Sequence, residues 1–223
     1  MQTLSGSKIR DSGISFTLQT INSIKLERFK EFFEDLPVDP YYKRMGQRRR
    51  LSRFKLADKQ LVKLPHGYLN APEKSNPLRQ GMRREFIELD PDLIALASFK
   101  RLVTEVADCC QLSPDADIAV HQIRRTCSPH DFGHPSPDGI HRDGADFLAI
   151  FAVDRHNVKG GMTLLYLDPY ETPVFKKVLY PGELLVVNDR QFRHFTTAIE
   201  PLMADRAIVD LFVLTSPSLL SDF

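Results

Sequence analysis

Apolar residues recur every three or four positions in two segments of the chain, which is the spacing of one face of an α-helix. The first segment covers residues 24–35, carries a stripe of phenylalanines and ends before Pro37. The second begins at Asp90-Pro91, an N-cap residue followed by proline at the first helical position, and continues to about residue 110. The sequence therefore predicts two amphipathic helices that each pack one face against the rest of the protein.

The other apolar positions form short runs that alternate with polar residues or are bounded by Gly and Pro, as β-strands do. Beyond residue 116 no helical pattern separates these runs, which favours an antiparallel sandwich or barrel. The predicted strands are 51–56, 117–127, 147–153, 162–167, 173–180, 184–187 and 207–214. At 223 residues we expect one domain, in which residues 1–115 supply helices, a strand and loops and residues 116–215 form the β core.

Composition and charge exclude a few classes of protein but do not indicate a function. The formal net charge is +1 and the three cysteines include an adjacent pair, so the sequence predicts neither a disulfide framework nor a general attraction to nucleic acid. No apolar run approaches the ~18 residues that a bilayer span needs. These features predict a cytoplasmic location without membrane association. A basic stretch at 43–53 leaves two interpretations open for Arg53, contact with an anionic substrate group or a solvated surface.

His141 and Asp143 are two positions apart, so on an extended chain both side chains leave the same face. His194 follows Asp143 by 51 residues, after the apolar run 184–187. Two imidazoles and one carboxylate form the facial triad that holds non-haem Fe(II) and leaves three positions open. The alternative is a surface His–Asp pair together with a histidine that is part of the core.

Arg206 follows His194 by 12 residues and opens the last predicted strand. A permanently charged guanidinium at the start of an apolar strand requires an anion if it is buried. The far carboxylate of a keto-diacid cosubstrate provides one, while a salt bridge to a protein carboxylate is the alternative.

Polar residues within predicted strands are further candidates. Gln122 and Arg124 share a face of strand 117–127 and line the pocket in one interpretation, or lie on the wet face of an edge strand in the other. Asp210 shares a face with Arg206, and it either binds a substrate ammonium or pairs with an arginine. The Pro- and Gly-rich segments 64–81 and 128–139 are expected to form loops around the site.

Several of these segments together resemble the 2-oxoglutarate/Fe(II) dioxygenase family that contains bacterial free-amino-acid hydroxylases such as isoleucine 4-hydroxylase. The resemblance covers about residues 48–214. It is carried by His121-Gln122-Ile123-Arg124, His141-Arg142-Asp143, Gly160-Gly161, Arg193-His194-Phe195 and Arg206. It implies a mainly β fold with flanking helices, the double-stranded β-helix (jelly roll, cupin-like). It also implies iron at His141, Asp143 and His194, and 2-oxoglutarate at Arg206.

The resemblance further implies the reaction, which is hydroxylation of an unactivated C–H bond with Fe(II), 2-oxoglutarate and O2. The expected substrate is a small molecule, a free L-amino acid, with Arg53 or Arg124 binding its carboxylate and Asp210 its ammonium group. Two alternatives stay open: the same chemistry on a protein side chain or a nucleotide, and a cupin-like metal-binding protein without turnover. The sequence leaves the oligomeric state open.

Overall fold

The structure is a computed structural model that describes residues 16–42, 46–57, 60–70, 83–113, 116–130 and 133–216. Part of the predicted loop at 64–81 therefore lies outside the described residues. Within them the helices are α1 (Glu27–Glu34), α2 (Pro91–Ala95) and α3 (Ala97–Cys110). No described helix has the length and apolar character required to cross a membrane.

The predicted helix at 90–110 is divided in two. Asp90 caps α2 by accepting a hydrogen bond from the backbone N–H of Asp92. Leu96 then adopts an extended backbone, with ψ 133°, before α3 begins. Leu93 and Leu102, which lie on either side of this break, pack in the same apolar core, and Leu96 packs against it.

Every pair of adjacent strands is antiparallel. The strands in chain order are β1 (Phe16–Thr20), β2 (Gln47–Ala57), β3 (Gln60–Lys63), β4 (Leu69–Asn70), β5 (Arg83–Arg84), β6 (Asp117–Cys127), β7 (Phe147–His156), β8 (Val158–Gly160), β9 (Met162–Tyr166), β10 (Phe175–Val178), β11 (Glu183–Asn188), β12 (Arg193–Thr196), β13 (Ile199–Pro201) and β14 (Ala207–Thr215). The major sheet has the order β1-β11-β7-β14-β6-β2-β3. The sheet β10-β9-β12 and the pairs β13-β8 and β4-β5 complete the strands.

The major sheet is buried on both faces, and β7 shows how the two sides differ. Ala149 and Phe151 point toward the helices, where Phe29, Phe33 and Phe99 also pack. Leu148 and Ile150 point the other way, toward Leu165 of the smaller sheet. Each fully buried side chain of this size stabilises the fold by about 1.5–3 kcal/mol relative to an exposed one. The two apolar layers thus hold helices and second sheet against the same set of strands.

A β-bulge interrupts the alternation near the end of β7. Val209 lies opposite Arg155 and Leu211 lies opposite Ala152, so Val153 is the extra residue between the two pairs. Directly opposed residues share a face of the sheet. Arg155 and Ala152 therefore point to the same side although they are three positions apart, and the bulge turns Arg155 toward the space between the sheets.

This architecture confirms the predicted fold class, a mainly β jelly roll with flanking helices. Its core strands agree with the alternating pattern of the sequence. Strand β2 extends further toward the N-terminus than the predicted 51–56, and it includes the arginine-rich residues 47–50.

Candidate active site

His141, Asp143 and His194 converge at one mouth of the space between the two sheets. His141 and His194 pair as an isolated antiparallel bridge, with backbone N–H to O distances of 3.1 and 2.8 Å in the two directions. One potential ligand atom from each of the three residues lies within 4.8 Å of the other two. The bridge fixes the sequence-distant histidine beside the His-x-Asp segment.

The two imidazoles direct the same ring nitrogen toward the carboxylate. His141 Nε2 lies 3.7 Å from Asp143 Oδ1, and His194 Nε2 lies 3.8 Å from Asp143 Oδ2. His141 Nδ1 donates to the Gly139 carbonyl at 2.8 Å, which leaves its Nε2 as an acceptor. Burial, and after it the neighbouring His194, lower the pKa of His141, which favours the neutral imidazole that coordinates metals. The donor set of two imidazoles and one carboxylate fits Fe(II).

A cavity extends from this triad into the space between the sheets. Its apolar lining comes from strands β7 and β14 of the major sheet and from the residue that follows β10: Leu148, Ile150, Val209, Leu211, Val213 and Leu179. Apolar walls exclude water and leave room for the aliphatic part of a small molecule. Besides the triad, the charged groups that line this cavity are Arg49, Arg125, Asp138 and Arg155.

Arg155 provides a positive charge on the wall formed by Gly161, Thr163 and Val209. Its Nη2 donates to the Gly160 carbonyl at 2.9 Å, and burial lowers its pKa. Among the residues that the structure describes, no carboxylate lies within ion-pair distance of its guanidinium. A half-buried guanidinium on an apolar wall favours binding of an anion.

Arg49 of β2 lines the cavity, and contacts with His121 and Asp39 fix the orientation of its guanidinium. Its Nε donates to His121 Nδ1 at 3.1 Å, and its Nη1 lies 3.8 Å from the fully buried Asp39. Gln47 in turn donates to Asp39 Oδ2 at 2.5 Å. Burial, and next the positive charge of Arg84, lower the pKa of Arg49 to about 10, while Asp39 and Asp143 oppose the shift. Arg49 is therefore charged at neutral pH and oriented by fixed partners.

The remaining charged groups at the mouth come from β6 and the loop before His141. Arg125 lines the cavity from β6, and its Nη1 donates to the His134 carbonyl at 3.3 Å. Asp138 lines it from the loop, where it accepts a hydrogen bond from the Tyr42 hydroxyl at 3.3 Å. The mouth thus presents guanidinium groups and a carboxylate within one opening.

The face of β6 that lines the cavity is not the one predicted in the pocket interpretation of the sequence. Ile123 and Arg125 line the cavity, whereas Gln122 and Arg124 point to the helix side. The Gln122 amide donates to the Phe32 carbonyl at 2.9 Å, and Arg124 binds Asp210 through two hydrogen bonds of 2.8 Å. The structure therefore does not bring Gln122, Arg124 or Asp210 to the site. For Asp210 it selects the alternative of an ion pair with an arginine.

Arg206 and Arg53 also lie outside the cavity. Arg206 is exposed, on the Asp210 side of β14, where its charge contributes to lowering the pKa of Glu34. Arg53 is buried on β2 and forms an ion pair of 2.6 Å with Asp117. Arg155, and not Arg206, places a guanidinium on the wall of this cavity.

Sequence reasoning missed Arg49, Arg125, Asp138 and Arg155. Alternation along β6 places Arg125 on the same face as His121 and Ile123, so Arg125 could be found from the sequence once the inner face was known. Arg155 carried no such signal, because its orientation depends on a bulge that the sequence pattern does not mark.

A jelly roll in which two histidines and a carboxylate converge at the mouth of a cavity has the architecture of the mononuclear non-haem Fe(II) oxygenases. Residues 30–215 match the model of a family described as 2OG-Fe dioxygenase, and the chain belongs to this family. The protein is therefore an enzyme that uses Fe(II), 2-oxoglutarate and O2.

Solved structures share the fold. A bsmA homolog from Methylobium petroleophilum PM1 is 28% identical, with a TM-score of 0.79 over 94% of this chain and 90% of that one. IDO from Bacillus thuringiensis is 17% identical, with a TM-score of 0.71 over 86% and 85% of the two chains. The Fe(II)/(alpha)ketoglutarate-dependent dioxygenase TqaL is 16% identical, with a TM-score of 0.66 over 86% and 73%. No curated protein matches the sequence significantly.

Proposed function

We propose that this enzyme hydroxylates an unactivated C–H bond of a small molecule, a free L-amino acid, at an iron held by His141, Asp143 and His194. The observation that carries the proposal is the convergence of these three side chains, within 4.8 Å, on a cavity that is apolar inside and charged at its mouth. Such a cavity suits a substrate with a polar head and an aliphatic body.

Iron with 2-oxoglutarate supplies the oxidising chemistry: one oxygen atom of O2 enters the C–H bond and the other enters the cosubstrate, which leaves as succinate and CO2. The chain's own residues bind and orient the reactants. The two imidazoles and the carboxylate would hold the metal, and the apolar walls would exclude water from the reacting carbon.

Arg155 is the residue we assign to the distal carboxylate of 2-oxoglutarate. Support comes from its position on the cavity wall and from the lack of a carboxylate partner among the described residues. Its hydrogen bond to the Gly160 carbonyl fixes one edge of the guanidinium and leaves other N–H groups for an anion. The adjacent Thr163 adds a hydroxyl donor on the same wall.

The substrate head groups are assigned to the mouth. Arg49 and Arg125 offer guanidinium groups to an α-carboxylate, and Asp138 offers a carboxylate to an α-ammonium. Arg49 is preorganised by His121 and Asp39, which reduces the entropic cost of binding an anion. This combination of charges favours a zwitterion.

The arginine-rich segment 48–53 gives little support to a nucleotide or other polyanionic substrate. Arg48 donates to the Leu36 carbonyl at 2.7 Å, and Arg50 donates to the Glu88 carbonyl at 2.8 Å. Arg53 pairs with Asp117. These guanidinium groups are used within the fold, so they do not form an open basic surface.

The test is a screen of the twenty amino acids with Fe(II) and 2-oxoglutarate under ¹⁸O2, in which mass spectrometry detects a product that has gained one labelled oxygen atom. We expect at least one aliphatic amino acid to be hydroxylated. The N-acetyl and the C-amide derivatives of that amino acid should react poorly, because each lacks one of the two charges.

The matched control is the variant His194→Ala, which should give no labelled product. Release of succinate with no labelled amino acid among the twenty would contradict the substrate class. Equal turnover of the N-acetyl derivative would contradict the role of Asp138.

A further inference from the structure

Asp189 is a buried carboxylate in the turn between β11 and β12, and none of the roles above uses it. The residue as a whole is only 1% exposed. Its carboxylate accepts hydrogen bonds from three consecutive backbone N–H groups, those of Asp143 at 3.3 Å, Gly144 at 2.8 Å and Ala145 at 3.0 Å. A single side chain therefore holds the loop that carries the proposed carboxylate ligand.

The same carboxylate also faces the second proposed histidine ligand. Asp189 Oδ1 lies 3.7 Å from His194 Nδ1, while His194 Nε2 points to Asp143 Oδ2 at 3.8 Å. At 3.7 Å the contact is longer than a hydrogen bond, but a negative charge at this distance in a buried site favours the proton on Nδ1. Nε2 then keeps the lone pair that a metal requires.

His141 offers an internal comparison, because its Nδ1 faces the Gly139 carbonyl at 2.8 Å. Each imidazole thus has an acceptor beside Nδ1 and the carboxylate of Asp143 beside Nε2. For His141 the acceptor is a neutral backbone group of its own loop. For His194 it is a charged side chain that also binds the loop of Asp143, so Asp189 links two of the three ligands.

We propose that Asp189 is a positioning residue for the iron site: it sets the Nδ1–H tautomer of His194 and fixes the loop of Asp143 at the same time. The inference rests on the proposed role of His141, Asp143 and His194 as ligands. Partners of metal-bound histidines typically change metal affinity by about 10–100-fold when they are mutated.

The variant Asp189→Asn separates this role from simple support of the loop. Its amide oxygen can still accept from Gly144 and Ala145, so the loop keeps two hydrogen bonds. Its amide N–H2 group would face His194 Nδ1 and favour the Nε2–H tautomer, which cannot bind a metal through Nε2. We expect Co(II), used as an oxygen-stable probe, to bind about 10–100-fold more weakly by calorimetry, with an altered ligand-field spectrum of the Co(II) form.

Asp146→Asn is the matched control. Asp146 lies in the same region and pairs through its carboxylate with the exposed Arg190 at 2.5 Å. This variant removes the same charge without touching either histidine, so its Co(II) affinity should equal that of the wild type.

A second measurement on the wild type does not depend on whether the variant folds. Long-range ¹H–¹⁵N correlation spectra of the apo enzyme read histidine tautomers directly, and His194→Gln assigns the signal. We expect Nδ1–H for His194. An Nε2–H tautomer, or unchanged Co(II) affinity in a folded Asp189→Asn, would overturn the role of Asp189. A wild type that does not bind Co(II) would instead contradict the proposed metal site itself.

Discussion

At the scale of a single residue, replacing Arg155 and replacing Arg206 should have different effects on the KM for 2-oxoglutarate. Arg155 lies on the cavity wall, and Arg206 is exposed outside it. Removing one partner of a buried charge pair costs about 2 kcal/mol or more, which is about 30-fold in affinity. We expect Arg155→Ala to raise the KM for 2-oxoglutarate by at least about that factor, measured by succinate release.

Arg206→Ala is the control for this prediction, since it removes the same side chain from the surface and should leave that KM unchanged. Loss of 2-oxoglutarate affinity in Arg206→Ala but not in Arg155→Ala would restore the assignment made from the sequence alone.

The convergence of His141, Asp143 and His194 could be predicted at this scale because its signal is contained in residue types and spacing. His141 and Asp143 lie on one short segment, and the apolar run before His194 marks the strand that leads to it. The structure brings the three together through the bridge between His141 and His194. Arg155 could not be found in this way, because an extra residue in β7 reverses its direction.

At the scale of the element, the turn at Gly160-Gly161 holds the Arg155 guanidinium in place through the Gly160 carbonyl. Gly161 has φ +65°, and a Cβ there would come within 3.0 Å of both Arg155 Nη1 and Ile199 Cγ2. We expect Gly161→Ala to displace the guanidinium and raise the KM for 2-oxoglutarate several-fold, as measured in the succinate assay.

Gly182→Ala is matched to it for backbone strain. Gly182 also has a positive φ, +89°, but a Cβ there would meet no atom closer than 3.8 Å. Both variants should lose about 1 kcal/mol of stability from the left-handed backbone, and only Gly161→Ala should change the KM. An equal effect on KM in both would show that strain alone is responsible.

Arg124 joins helix α1 to the major sheet. It binds Asp210 of β14 on one side and, with Nη1 and Nη2, Glu34 of α1 at 3.0 and 2.9 Å on the other. Arg124→Met leaves the fully buried Asp210 without its partner, and we expect a loss of about 3–5 kcal/mol in the free energy of unfolding. Denaturant titration measures this loss, which Asp210→Asn should partly reverse in the double variant.

The pH dependence of this variant follows from Asp210. Burial already raises the pKa of Asp210, and the hydrogen bonds from Arg124 oppose that shift. Without Arg124 the folded state binds a proton more readily than the unfolded state, so stability should fall as pH rises.

Arg101→Met, which removes an exposed i,i+4 partner of Glu105, should cost at most about 0.5 kcal/mol at any pH. A loss of substrate affinity without loss of stability in Arg124→Met would return Arg124 to the site.

Strand positions were predictable at this scale and inner faces were not. Alternation in β6 separates Gln122 and Arg124 from Ile123 and Arg125 correctly. In a sheet with one wet face, polarity would identify the inner set. Here helices cover one face of the sheet and the second sheet covers the other, so the residues on both faces of β6 are largely buried. The alternation therefore does not indicate which of the two faces lines the cavity. Arg124 and Asp210, which form an ion pair on the helix side, consequently cannot be distinguished from pocket residues by sequence alone.

We expect the fold of the whole molecule not to depend on the metal. The larger apolar core lies under the helices and is built from side chains other than those that line the cavity, while the core between the sheets shares Leu148, Ile150 and Leu179 with the cavity wall. We expect the chelator-treated protein to keep its secondary structure by circular dichroism. Co(II) and 2-oxoglutarate should raise its Tm, since a ligand at 100 times its Kd adds about 2.7 kcal/mol to stability. Global unfolding on removal of the metal would contradict this expectation.

We propose above that His141, Asp143 and His194 hold the iron with which the enzyme consumes 2-oxoglutarate. The most direct test measures bound iron per chain and succinate formed per minute, in parallel, for the wild type and for His141→Ala, Asp143→Ala and His194→Ala. The wild type should bind one iron and form succinate only when Fe(II), 2-oxoglutarate and O2 are all present, and each variant should lose both properties while remaining folded. Succinate formation at wild-type rates in any of the three variants would contradict the assignment.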